Sequence, residues 1–407
     1  MSLLVFNSGS TSLKFALFHG AGSGVRCLVR GQVAPLQGRC TLRLRHEQTE
    51  SINTIDIHGS GAATRAVLAA LARSISLSSP ITCVAHRVVY GGPGSGELAR
   101  IDERLLERLS RLSALAPLHL QFELEVIRAA AEELGHDIPA FAAFDTGYFA
   151  GLPAPAREYA IPRELASKLD IRRAGFHGFA HRSMFESWCV DAGKDPATAQ
   201  AVTFQLGGGC SAAAIAGGKP LDTSMGHTPL EGLVMDTRCG DIDAGAVFEC
   251  LRSGIAAEEL HRTLERDSGL LGLSGLSAEP RRLLEAARDG HAGARLAIDV
   301  YCHRARKYLG AYLAVLGGAD AVLFGGGVGE HLAQIRERIC SGMEWCGVRL
   351  DPALNELPLS GPRRISHARA RTAVWVVPVD EEQVIARLLA PAELDQRQGT
   401  PAAVVSP

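Results

Sequence analysis

The sequence predicts an α/β protein built from two related halves facing a common cleft. Two observations carry that expectation. A short apolar strand, Leu3 to Phe6, runs through the turn Asn7-Ser8-Gly9-Ser10 into a second strand at Leu13 to Phe18, and the same pattern returns at Ala201 to Ile215. Aligning Phe6 with Phe204 and Gly9 with Gly207 sets the units 204 − 6 = 198 positions apart in a chain of 407 residues, the mark of a duplication. A chain of this length exceeds what one core organises, so two domains are expected.

Between these units, apolar residues recur at three- and four-residue spacing over 62–74, 103–115, 122–134, 246–253, 281–288, 292–316 and 332–340, which predicts helices there. The apolar runs 84–90, 140–144, 321–324 and 373–377 predict strands covered on both faces. The segment 397–407 is small, polar and proline-containing, and is expected to be a disordered tail.

Composition narrows the function. The chain is 46% hydrophobic and 21% charged, with 42 basic against 44 acidic side chains, so its formal net charge is −2. That balance excludes a protein neutralising nucleic-acid phosphates. Ten scattered cysteines without a C-x-x-C pair suit reduced thiols in the cytoplasm. The N-terminus lacks the pattern of a secretory signal, and the apolar stretch 308–319 falls short of the ~20 residues that span a bilayer, so no membrane association is expected.

The turn Asn7 to Lys14 offers hydroxyls, small residues and a lysine after a strand, where amides can face an anion, although a plain hairpin turn reads equally well. The segment Phe324-Gly325-Gly326-Gly327-Val328-Gly329-Glu330 ends a strand and opens a helix, so its backbone can approach a nucleotide. It lacks the third glycine of a dinucleotide fingerprint. His177 and His181 stand at i, i+4, a metal-ligand spacing without the glutamate or third ligand a zinc site needs. Arg87 in AHRVVYGG, Asp145 in FDTG and Arg238 in DTRCGD combine charge with tight turns. Taken singly each reads as a structural ion pair, and together they read as an anion clamp of forked donors.

These segments together resemble the acetate kinase family, within the superfamily of acetate and sugar kinases, heat-shock chaperones and actin. FNSGSTSLKF, AHRVVYGG, APLH, FDTGYF, IRRAGFHGFAHR, DTSMGHTPLEGLVMDTRCGD, LLGLSGLS, FGGGVGEH and VPVDEEQVIAR follow in family order from Leu3 to Leu389. The resemblance implies duplicated ribonuclease H-like, actin-like ATPase domains with the nucleotide cleft between them. The first is expected over 1–145, completed by a returning C-terminal helix over 382–396, and the second over 146–381. It implies Mg²⁺ (or Mn²⁺) near Asn7 and Glu381, and ATP as co-substrate with Lys14 near its phosphates. Arg87 and Arg238 would hold the carboxylate and the transferring phosphoryl group, Asp145 would be the catalytic acid residue, and His177 would steady the transition state. Val89, Leu118, Phe176 and Pro229 would wall a small-acid pocket beside Arg87. The nucleotide would lie along Gln205, Leu206, Gly207, Gly208 and Gly209, then Glu279, Pro280 and Arg281, then Gly327, Val328, Gly329, Glu330 and His331. A cytoplasmic homodimer acting on acetate, without nucleic-acid or membrane partners, is implied.

The chain departs from the family pattern at several of these places. Gln205 and Gly208 replace a histidine and an asparagine of the phosphate-facing loop, Tyr90 and His331 replace a histidine and an asparagine, PLHNP reads Pro117 to Gln121, and Phe179-Ala180 replaces Thr-Ser. Three readings therefore stand: an ATP-dependent acetate kinase, a kinase for another short acid or from another phosphoryl donor, and a non-catalytic nucleotide-binding regulator.

Overall fold

The computed structural model describes residues 2–9, 12–20, 24–35, 37–47, 49–74, 80–92, 94–112 and 117–397. The chain divides into two compact units, residues 1–150 with 380–407, and residues 151–379.

In the first unit the described strands are β1 (Ser2–Ser8), β2 (Leu13–His19), β3 (Arg26–Ala34), β4 (Gln37–His46), β5 (Thr49–His58), β6 (Cys83–Val88), β7 (Leu98–Arg100) and β8 (Ala140–Phe144), in the order β5-β4-β3-β2-β1-β6-β8-β7. Antiparallel pairing runs from β1 out to β5, while β1, β6 and β8 are parallel. In the second unit β9 (Gln200–Leu206), β10 (Cys210–Ala216), β11 (Lys219–Thr223), β12 (Ala321–Gly325), β13 (Arg363–Arg364) and β14 (Ala373–Val376) take the order β11-β10-β9-β12-β14-β13. There β9, β10 and β11 form the antiparallel meander, and β9, β12 and β14 are parallel.

The duplication extends to single rings. Phe6 pairs with His86 across β1 and β6, and Phe204 pairs with Phe324 across β9 and β12. Each pair is stacked, with centroids 5.5 Å and 5.4 Å apart.

Alternation along β6 sends Val84, His86 and Val88 to one face. There Val84 packs with Ala63, Val67, Val126 and Ala130, and Val88 with Leu105, Leu109, Leu120, Leu124 and Ile127, residues of helices Ser60–Ser74, Glu103–Leu112 and Pro117–Leu134. Arg87 is thereby placed on the other face, against the helix Glu381–Arg397, which packs on β1, β2 and β6.

Several boundaries differ from the sequence reading. The strand expected over 84–90 stops at Val88, because the Val89 amide turns to a side chain, Glu123, instead of a neighbouring strand. Helix Pro117–Leu134 begins five residues before the expected start at 122, with proline in its first turn, where no intrahelical N–H is needed. The helix expected over 103–115 ends at Leu112, with 113–116 outside the described residues. The helix expected over 332–340 is preceded by a separate short one, Gly326–His331, the break falling at Leu332 with φ −112° and ψ 85°. Arg397 closes the last helix instead of starting a tail, and residues 398–407 lie outside the described ones. The meander β3–β5 and the helix Gly178–Asp191 were not expected.

Candidate active site

In the first unit the charged groups gather at the ends of β1, β6 and β8. Arg87, next to last on β6, donates from Nη2 to Asp145 Oδ2 at 2.8 Å, and its Nε lies 3.8 Å from Glu381 Oε2. Asp145 is fully buried where β8 gives way to a tight 3₁₀ turn, Asp145–Phe149. Asn7, near the end of β1, donates from Nδ2 to Glu381 Oε2 at 2.6 Å and to Glu382 Oε1 at 2.7 Å. Lys14 stands across from Asn7 on β2, with an exposed side chain whose charge favours the Glu382 carboxylate.

Burial opposes the charge on Arg87, yet Asp145, Glu381 and Glu123 together hold the guanidinium above the ordinary arginine range. Three acids gathered around one cation raise the cost of ionising a buried one among them. Glu123 is the acid that yields: burial pushes its carboxyl up to about 8, outweighing the opposing pull of Arg87 and the Val89 amide, while Asp145 adds to the rise. Its two oxygens lie 3.1 and 3.2 Å from the Val89 nitrogen, so this carboxyl fixes the backbone directly after Arg87. Sequence reasoning missed Glu123, although an acid set within the apolar stripe Leu120, Leu124, Ile127 was the available signal.

Glu123 has a measurable consequence. Unfolded, it releases its proton near 4.5; folded, it keeps it until about 8. Between those values the folded state binds the extra proton, so its contribution to stability is complete below 4.5 and is lost as pH rises through about 8. In urea titrations at pH 5 and pH 9, the midpoint of Glu123→Gln should fall less than that of the wild type; equal falls would overturn this.

In the second unit the turn between β9 and β10 is the focus. Gly207 N–H donates to Gly209 O at 3.1 Å and Asp236 N–H to Gly208 O at 3.3 Å. A Cβ on Gly209 would lie 3.2 and 3.3 Å from the His177 ring and 3.5 Å from Arg238 Nη1; one on Gly208 would lie 3.2 Å from Asp236 Oδ2. The glycines therefore leave three functional side chains pressed against the turn. Nη1 of Arg238 reaches the Pro229 carbonyl, 3.4 Å away, and the guanidinium has no carboxylate within ion-pair distance among the described residues. Burial lowers its pKa, partly offset by Glu265, Cys210 and Asp236. Burial also pushes Asp236 up to about 7, helped by Glu279 and opposed by Arg238. Asp236 Oδ1 and Gln205 Oε1 are buried without hydrogen-bond partners, two acceptors that a donor or a cation would satisfy.

His177 caps the helix Gly178–Asp191 in the left-handed region, φ 59°, a strained setting for a residue with a side chain. His177 and His181 do not turn together toward a metal; each bonds Ser211 Oγ at 2.8 Å. Ser211 and Asp236 lie against the same turn; the sequence reading included Asp236 in DTRCGD but gave neither residue a role.

Of the other candidate nucleotide residues, Arg281, Glu330 and His331 line one cavity of about 350 Å³, together with Leu332 and Asn355. Pro280 is buried at the start of helix Pro280–Arg288, and Glu279 caps it. Gly326, at φ +75°, brings the helix Gly326–His331 so near β9 that a Cβ would lie 3.0 Å from Gln205 Nε2; on Gly329 it would lie 3.7 Å from the Leu206 Cβ. Glu330 Oε1 accepts from the Gly326 and Val379 amides at 3.0 and 3.2 Å, and buried Arg336 donates to the Gly329 and Glu330 carbonyls at 2.9 and 3.1 Å. Gly327 is exposed, whereas Val328 is buried.

Of the four expected acid-pocket walls, Val89 lies beside Arg87 in the first unit, half-buried; in the second, Phe176 is buried next to His177 and Pro229 is tied to Arg238. The Leu118 side chain lies outside the described residues. Asn7 and Glu381 fit a hard divalent cation. With Nδ2 taken by two carboxylates, the amide oxygen of Asn7 is directed away from them, and Mg²⁺ needs only one or two protein oxygens beside phosphate and water.

Comparison with known proteins identifies the family. The model of the Acetokinase family matches residues 2–387. The acetate kinase of Streptomyces coelicolor is 42% identical over 391 residues, covering 94% of this chain and 95% of that protein, and that of Chloroherpeton thalassium is 37% identical over 407 residues, covering 95% and 98%. Among solved structures, Porphyromonas gingivalis acetate kinase superposes with a TM-score of 0.85 at 34% identity over 97% of this chain and 99% of that one. A propionate kinase from Francisella tularensis superposes at 0.84 and 32% over 95% and 98%. The chain, matched over nearly its whole length, belongs to the acetokinase family.

Proposed function

We propose that this protein catalyses the reversible transfer of the γ-phosphoryl group of ATP to acetate, giving acetyl phosphate and ADP. The observation that carries the reading is the buried set Arg87, Asp145, Glu381 and Asn7, a guanidinium held in place by acids at the ends of adjoining strands. Acetate is ionised at neutral pH, so no strong base is required, and the residues have to align charges and neutralise them. Arg87 receives the carboxylate, with Val89 beside its methyl group. Asp145 fixes the Arg87 fork. Arg238, a half-buried cation with no carboxylate within ion-pair distance among the described residues, and His177 take charge on the transferring phosphoryl group. Gly207 to Gly209 and the helix Gly326–His331 present backbone to the nucleotide. Mg²⁺, held through Asn7 and Glu381, would supply neutralisation of the phosphate charge.

Propionate is the second acid. The residues that the family resemblance assigns to the acid, Val89, Phe176 and Pro229, are apolar, and discrimination by one methylene is worth only about 1–3 kcal/mol. We take the protein to act in the cytoplasm, in keeping with its ten free thiols; among the described residues no helix is long and apolar enough to cross a membrane. A homodimer is supported by the exposed apolar side chains Ile242, Phe248, Leu251 and Ile255 around helix Ala244–Arg252.

Hydroxylamine trapping tests the reading, because it converts an acyl phosphate to a coloured hydroxamate. With Mg-ATP the signal should be strongest for acetate, weaker for propionate, least for butyrate, and lost without Mg²⁺. No signal with any acid, while calorimetry still detects ATP binding, would overturn it.

A further inference from the structure

The Ser211 hydroxyl is the meeting point of two histidines one helical turn apart. His177 Nδ1 and His181 Nε2 each lie 2.8 Å from Ser211 Oγ, and His181 Nδ1 lies 2.7 Å from Thr203 Oγ1. The architecture dictates this convergence. The helix Gly178–Asp191 starts directly after His177 and carries His181 on the same face one turn later. Across β9 and β10, Thr203 pairs with Ala213 and Gln205 with Ser211, which makes Thr203 and Ser211 diagonal neighbours on one face of the sheet. Thr203, His181 and Ser211 are all fully buried.

Counting hydrogens gives the chain a direction. A serine hydroxyl has one hydrogen, so between two imidazole nitrogens it donates to one and accepts from the other. Burial, with His177 beside it, pushes the His181 imidazole well below its ordinary range, so that ring is neutral, with one N–H and one lone pair. The Thr203 hydroxyl reaches the Ala213 carbonyl, 3.4 Å away, which can only accept. Thr203 therefore donates there and accepts from His181 Nδ1–H. His181 Nε2 then accepts from Ser211, and Ser211 accepts from His177 Nδ1–H.

We propose that Thr203, His181 and Ser211 are positioning residues, a hydrogen-bond chain of fixed polarity that holds the His177 ring by its Nδ1–H, so that Nε2, over Gly209, is the nitrogen that takes up a proton from solvent and donates it as a hydrogen bond to the phosphoryl group. This rests on His177 acting on the phosphoryl group and deepens that reading. It also explains how a residue at φ 59° keeps one ring orientation: Ser211 holds the ring in place. Loss of the correct tautomer costs a serine-protease histidine about 10⁴-fold in turnover. This chain ends on a neutral carbonyl, so the expected effect is nearer the ~10–100-fold seen when outer partners of a metal-bound histidine are removed.

The test combines kinetics with ¹⁵N NMR of histidine-labelled protein. Ser211→Ala and Thr203→Val should each lower kcat about 10–100-fold with KM for acetate and ATP within about threefold, and Thr203→Ser should restore most of the loss. The wild-type spectrum should show neutral His177 protonated on Nδ1, and Ser211→Ala should show a mixture of tautomers. A neutral His177 with its proton on Nε2 and none on Nδ1 in the wild type would overturn the proposal, as would unchanged kcat and an unchanged His177 signal in Ser211→Ala. Since the wild-type spectrum needs no variant to fold, the chain's polarity is decided in any case. Full activity in His177→Ala would instead strike the reading of His177 itself, leaving the tautomer result standing.

Discussion

Replacing Arg87 with alanine should lower turnover by about 10³–10⁵-fold, the range attached to arginine side chains that stabilise phosphoryl transfer. Two effects combine. The carboxylate loses its forked donor, and Asp145, buried with Arg87 as its 2.8 Å partner, is left facing Glu381 and Glu123 without the intervening cation. Some stability should therefore be lost as well, and a melting curve must accompany the kinetics. Arg87→Lys separates the two, since an ammonium keeps the charge but cannot bridge Asp145 and Glu381 with the same planar fork. It should melt close to the wild type and still lose most of the activity. Turnover of the folded alanine variant within about tenfold of wild type would remove Arg87 from the catalytic set.

The second large effect is expected at a glycine outside the chemistry. Gly269 has φ +59°, and a Cβ there would collide with the Met235 carbonyl and approach the Arg238 carbonyl at 2.7 Å. Those carbonyls already hold the loop: Leu270 N–H donates to Met235 O at 2.9 Å, and Met235 N–H to Arg238 O at 3.1 Å. The atoms in the way are backbone, so relief requires moving the segment that carries Asp236 and Arg238. The left-handed conformation costs about 1–2 kcal/mol, and overpacking adds about 1–3. A shift of the order of 1 Å at a charge-aligning residue costs about 100-fold in rate. Gly275→Ala is the control, with φ +61° but nothing within 4 Å of the added carbon. In urea titration and steady-state assays Gly269→Ala should lose several kcal/mol and about 100-fold in kcat, and Gly275→Ala only the conformational cost. Equal behaviour of the two would show that Gly269 does not set the Arg238 loop.

What was legible from sequence follows from how each element is stabilised. Strands buried on both faces, such as β6, β8 and β12, stand out as apolar runs, and the repeated strand-turn-strand exposed the duplication. The β3–β5 meander did not stand out, because alternation there sets buried Cys40, Leu42 and Leu44 between Arg39, Arg43 and Arg45, while β5 is mostly exposed. Helix Gly178–Asp191 escaped because its buried face carries His181 and Ser183, polar residues that a periodicity count scores against a core. Of the candidate site, the sequence named four residues carried by motifs that the structure brings together, Arg87, Asp145, Asn7 and Glu381. The roles of Glu123, Asp236 and Ser211 were not legible, since each matters through a partner distant in sequence, and spacing along one chain cannot reveal a carboxyl that holds the backbone 34 positions away.

The stacked ring pairs bear on what positions the strand tips. Phe6 and His86 are 86 − 6 = 80 positions apart, whereas Phe204 and Phe324 are 324 − 204 = 120 apart, yet both pairs occupy the same rungs of their ladders. The excursions between the paired strands differ by 120 − 80 = 40 positions, and both ladders nevertheless keep the same register. The strand tips bearing Asn7 and Gln205 are thus set by the ladders themselves and not by the length of chain that connects the paired rings.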